Sequence, residues 1–158
     1  MAVTFRWYDI ATQYIGNATY TQNAAAVPIS IASQPVTVIL VTSGYAFSAA
    51  HTVYGNITNE LTTGGGYTNG GQALTGITFV QAAPLSNFNS TGALWTASGG
   101  GIAAFRMAIF YINATVNGVV KPLIFGLDNG IDVPATTAPN TLAVNPTSPA
   151  WFQVVHQP

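Results

Sequence analysis

The chain has 158 residues, enough for one domain around a single hydrophobic core. Only seven side chains are formally charged, Arg6, Arg106 and Lys121 against Asp9, Glu60, Asp128 and Asp132, which is 4% of residues where roughly 25% is ordinary. Three basic groups cannot build the phosphate-neutralising footprint of a nucleic-acid binder or a polybasic membrane patch, and zero cysteines exclude disulfides, thiolate zinc sites and thiol nucleophiles.

A surface this poor in charge must be made of Thr, Ser, Asn, Gln and Gly, and it promotes association rather than repulsion. The longest apolar run, Ile102 to Ile112, falls well short of the roughly 20 residues a membrane-spanning helix needs, and it carries Arg106 in its middle. Met1 to Arg6 lacks a basic stretch leading into an apolar one, so no secretory signal is expected. The sequons at Asn17, Asn56, Asn89 and Asn113 are the chance product of a chain rich in Asn and Thr.

In chain order, residues 1–35 read as an N-terminal arm and 36–158 as a β-sandwich domain with a proline-rich C-terminal tail. Thr4 to Gly16 suits either a short helix, with Phe5, Tyr8, Ala11 and Ile15 on one face and Gly16 as the stop, or a strand. Asn17 to Ser33 is low in complexity and reads as a loop or an extended tail lying on a neighbour. Val36 to Val41 is a short, β-branched, nearly all-apolar run, the pattern of a strand buried on both faces. The polar stretch from Ser43 ends in the glycine-dense segment Thr62 to Gly71, which suits turns and close backbone approach. A strand is expected from Gln72 to Val80, then a loop from Gln81 to Gly101 with a short strand at Leu94-Trp95-Thr96. Ile102 to Ile112 is the clearest strand, and Asn117-Gly118 is a hairpin signal before the chain returns over Val119 to Gly126. After the Asp128-Asn129-Gly130 turn, prolines 134, 139, 146 and 149 leave two last short strands, Thr141 to Val144 and Trp151 to Val155. No segment supplies the crossover helices of a parallel sheet, so the expected fold is all-β, an antiparallel β-sandwich or jelly roll.

Residues that could carry chemistry are few. His51 and His156 lie far apart with no nearby acid and read as surface or loop histidines rather than metal ligands. Asp128 and Asp132 lack the spacing of a calcium loop, and a turn in which Asp and Asn bond their own backbone fits better. Nothing in the sequence brings Asp128, Asp132 and Glu60 together as a hydrolytic carboxylate pair. There is no Gly-x-Ser-x-Gly elbow, and the glycine runs at 64–66 and 99–101 lack the Lys-Ser/Thr ending of a phosphate loop. No catalytic residue, metal ligand or cofactor site is therefore expected. Arg106 either pairs with Asp128 or Asp132 or extends from the exposed face of its strand. Trp7, Trp95 and Trp151 could stack on sugars but fit core or protein-interface roles better. Together with Phe152, Arg106 and Asp128 they are the candidate interface or structural residues.

The order Val38-Ile39-Leu40-Val41-Thr42-Ser43-Gly44-Tyr45-Ala46-Phe47, then Glu60 to Leu74 with its Gly-Gly-Gly-Tyr-Thr-Asn-Gly-Gly core, resembles small virion proteins of tailed bacteriophages. Trp95, Ala104 to Tyr111 and Lys121 to Asp128 continue the resemblance, which covers roughly residues 36 to 130. It implies a β-sandwich structural component of the particle, a capsid decoration or cement protein acting as a symmetric oligomer, with no catalytic residues. The implied partners are copies of itself and the major capsid or other virion proteins, and the implied location is the virion, assembled in the host cytoplasm. A tail or fibre component and a carbohydrate-binding β-sandwich module are the alternatives.

Overall fold

A computed structural model of the chain describes residues 3–11, 31–82, 85–146 and 150–155. The fold is all-β and antiparallel, with short 3-10 turns at Asp9–Ala11, Ile31–Ser33 and Tyr54–Asn56. Among the described residues no helix is long and apolar enough to cross a membrane.

The centre is a five-stranded sheet in the order β1-β10-β7-β2-β3, built from β1 (Thr4–Trp7), β2 (Val36–Val41), β3 (Gln72–Ala73), β7 (Phe105–Ile112) and β10 (Leu123–Val133). Strand β2 is buried at every position, as its unbroken apolar run requires. A three-stranded sheet, β12-β5-β4, comprises β4 (Thr78–Ala82), β5 (Leu85–Asn89) and β12 (Phe152–Val155). Two ribbons complete the fold, β6 (Ala93–Thr96) with β11 (Thr141–Val144), and the hairpin β8 (Thr115–Val116) with β9 (Val119–Val120).

Residues directly opposite one another in an antiparallel pair point to the same side. The registers Phe5↔Leu127↔Ala108↔Leu40 and Trp7↔Phe125↔Phe110↔Val38 therefore define one face of the central sheet. Thr4↔Asp128↔Met107↔Val41 and Arg6↔Gly126↔Ile109↔Ile39 define the other. The first face packs on the three-stranded sheet across a layer of rings. Phe125 stacks on Phe110 at 4.2 Å and on Phe5 at 4.7 Å, while Phe152 stacks on Phe88 at 5.0 Å and meets Trp7 edge-on at 4.8 Å. Trp151 closes the layer against Phe110 at 4.9 Å. The second face is covered by the polar segment 43–71, whose Tyr45, Leu61 and Tyr67 are buried.

Several expectations shift in detail. The first segment takes the strand alternative over Thr4–Trp7 and a 3-10 turn over Asp9–Ala11; a helix does not form there because β10 offers β1 a full partner. Residues 12–16, and with them the end of that helix, lie outside the described residues, as do 17–30, Pro149 and His156. Since β1 belongs to the central sheet, the sheet draws on both sides of position 35. The strand expected at Gln72 to Val80 is two strands in two sheets, and the loop expected from Gln81 contains β5, whose Ser86 and Phe88 point inward. The Asn117-Gly118 turn joins β8 and β9 with φ of 52° and 77°, as a two-residue hairpin needs. Asp128-Asn129-Gly130 sits inside β10 as an irregularity in its pairing with β7.

Candidate assembly surface

Arg6 and Asp128 lie on the second face of the sheet, Arg106 on the first-face side of β7 with Ala108, and Glu60 in the segment that covers the second face. Asp128 is only 4% exposed, and its carboxylate is fully engaged. It accepts from the Gly130 N–H at 2.8 Å, from Arg106 Nε at 3.1 Å, and from Arg6 Nε at 3.1 Å and Nη2 at 3.0 Å. Burial works to raise its pKa, but the Gly130 N–H and the two guanidinium groups outweigh it and hold the carboxyl below its ordinary value. Arg106 thus pairs with Asp128 and not Asp132, while keeping its own side chain partly open to solvent.

Glu60, the chain's single glutamate, lies beside Val41 at the far side of the same face. It accepts from the Tyr54 hydroxyl at 2.5 Å, the Tyr67 hydroxyl at 2.8 Å and the Gly70 N–H at 2.6 Å. Burial first, and then the adjacent Glu60 carboxylate, push the Tyr54 hydroxyl well above the ordinary tyrosine pKa, and burial does the same for Tyr67 against the opposing effect of the Leu40 N–H. Tyr67 also accepts from the Leu40 N–H at 3.1 Å, so the ring ties the covering segment to the edge of β2. Gly71 makes that approach possible: its φ is +81°, and a Cβ there would sit 2.0 Å from the Val38 carbonyl oxygen.

The remaining charges are also engaged within the chain. Lys121 lies over the Tyr54 ring at 5.2 Å, Asp132 accepts from the Ser43 hydroxyl at 3.3 Å, and Asp9 has a partner as well. A third polar chain runs from buried Tyr8 to Tyr45 at 3.0 Å and on to His51 Nδ1 at 2.9 Å. Asp128 pairs with Met107, Met107 with Val41, and Val41 with Glu60, so the two carboxylate-bearing positions are three strand spacings apart, roughly 14 Å. Among the described residues no three His, Asp or Glu side chains converge as metal ligands would.

The sequence candidates divide between core and surface. Trp95, Trp151 and Phe152 are buried; Trp95 lies 6.0 Å from Tyr67, and Trp151 Nε1 donates to the Ser90 hydroxyl at 2.8 Å. Trp7 is 39% exposed on the outermost strand, near Val3 at 50%. Leu94 and Val80 project apolar side chains elsewhere, each more than half exposed. Beside β1 a groove of about 500 Å³ opens between Val3, Phe5, Ala108, Leu127 and Trp151, with Arg106 as its main polar wall. Two features escape a reading of the sequence: Arg6 as the second partner of Asp128, and the tyrosine cage around Glu60. Only a lone glutamate flanked at modest distance by tyrosines hints at the second.

No protein-family model, no curated protein and no solved structure matches the chain.

Proposed function

We propose that the chain is a non-enzymatic structural protein of a tailed-phage virion, a capsid decoration or cement protein that binds the shell as a homo-oligomer and stabilises it. Its partners in this reading are further copies of itself and the major capsid or other virion proteins, with no nucleic acid, membrane or cofactor involved. Its place is the particle, assembled in the host cytoplasm.

One observation carries the assembly part: only seven side chains in 158 are charged, Arg6, Arg106 and Asp128 pair among themselves, and the mostly uncharged surface exposes Val3, Trp7, Val80, Leu94, Val120 and Ile131. Such a surface can be covered by neighbours with little charge to strip of its water, which is a costly part of forming an interface. The virion part rests on the resemblance across residues 36 to 130. A sugar-stacking role is less favoured, because two of the three indoles are inside the fold.

Sedimentation of the purified chain, with electron microscopy of phage particles to which it is added, tests the reading. The expected result is an oligomer whose mass does not change between low and high salt, since no exposed ion pair holds it, with density at junctions between capsid subunits. Isolated monomers at high concentration and low salt, together with bare particles, overturn it. Density on tails alone overturns the capsid assignment in favour of a tail component.

A further inference from the structure

We infer that the outer edge of β1 is a docking strand for a second copy of this chain, pairing antiparallel about a two-fold axis at Phe5. The inference deepens the reading of the chain as a self-associating assembly protein, and rests on it.

Strand β1 is the last strand of the central sheet and pairs with β10 alone among the described strands. The phase of its free edge follows from one bond: Tyr8 N–H donates to the Ile124 carbonyl at 3.3 Å, so even-numbered residues turn their backbone groups toward β10. The N–H and C=O groups of Phe5 and Trp7, and by continuation Val3, therefore point outward. Asp9, the next odd residue, has its N–H taken by the Ala49 carbonyl at 2.9 Å, which marks where the cover of this edge begins. From Val3 to Trp7 no described segment supplies such a backbone partner.

Exposed edges are usually blunted by free lysines, prolines or inward charges. This one has none of these. Its single charge, Arg6, is committed to Asp128 and lies over Phe47 at 5.5 Å. Strand β4, the corresponding edge of the other sheet, is instead flanked by the turn at Ile31–Ser33.

The strand is complementary to itself. A two-fold at Phe5 places Phe5 opposite Phe5, Val3 opposite Trp7, and Thr4 opposite Arg6 of the second copy. Each facing pair of odd residues can exchange two backbone hydrogen bonds, and the exposed Val3 and Trp7 side chains cover each other on one face. No like charges meet. Shifting the axis to Arg6 would set the two Arg6 side chains opposite one another. The outcome is an isologous contact that joins two five-stranded sheets into one.

Position 4 provides the test. Thr4 is exposed, and within its own chain it faces Asp128. Thr4→Lys places a lysine opposite Arg6 of the second copy at both symmetric sites, whereas Thr4→Glu places an acid there. Inside the monomer the two changes act in the reverse sense, because Asp128 attracts the lysine and repels the acid. A general loss of stability therefore cannot mimic the expected pattern, in which T4K weakens self-association by roughly tenfold and T4E keeps or tightens it. Hydrogen exchange at the Phe5 amide should be slow in the concentrated wild type and fast on dilution or in T4K. If the chain self-associates and binds particles but T4K, T4E and wild type do so equally, with a fast Phe5 amide throughout, the β1 contact is wrong and the assembly reading stands. A chain that neither self-associates nor binds particles overturns both.

Discussion

The two faces of the central sheet are covered by opposite means. On one, Phe5, Phe110 and Phe125 meet Phe88, Trp151 and Phe152 across a layer of rings, where cohesion comes from apolar burial and ring-to-ring contacts worth about 0.5–1.5 kcal/mol each beyond their area. On the other, the segment 43–71 is held down by the hydrogen bonds that Tyr54 and Tyr67 make with Glu60 and the Leu40 N–H, and by Arg6 lying over Phe47. A chain with so few charges spends them on the face where a glycine-rich, irregular covering could not otherwise be fixed. The ring layer needs none.

Three changes would break that contrast in descending order. Phe125→Ala should cost about 3–5 kcal/mol in urea unfolding, because Phe125 is fully buried and touches rings of both sheets. A loss below 1 kcal/mol would mean that the ring layer is not the dominant cohesion. Glu60→Gln should cost roughly 1–3 kcal/mol, since an amide nitrogen turned toward Tyr54 or Tyr67 leaves a hydroxyl without its acceptor. Its distinguishing mark is faster amide exchange at Leu40 and Gly70, with the Phe88 amide unchanged. The smallest effect concerns Asp128. Its folded pKa lies below the unfolded value, so its contribution is present above about pH 4 and is lost as the pH falls through the folded pKa. Wild type should exceed Asp128→Asn by about 1 kcal/mol at neutral pH, a modest figure because both arginines are well exposed, and the gap should close in acid. A gap that persists at pH 2 would show that the aspartate acts by shape rather than charge.

Much of the strand inventory is legible in residue types. Val36–Val41 and Thr141–Val144 fall where the sequence places them, because β-branched runs bounded by turn residues have few other uses. Leu85–Asn89 is missed because Pro84, Ser86, Asn87 and Asn89 read as loop, and only pairing with β4 and β12 makes a strand of it. Thr4–Trp7 stays ambiguous in sequence for a similar reason, as its strand form depends on β10, more than a hundred residues away. The long-range partners of the charges are equally hidden: nothing near Arg6 points to position 128.

The amino-acid sequence by itself determined that this protein is all-β and charge-poor, since those properties follow from local preference and from composition. Only the tertiary structure decided which strands are neighbours, that Asp128 joins two arginines, and that β1 has no partner on its outer edge among the described residues. Antiparallel pairing sets backbone partners by register between distant segments, and no local pattern of side chains encodes it.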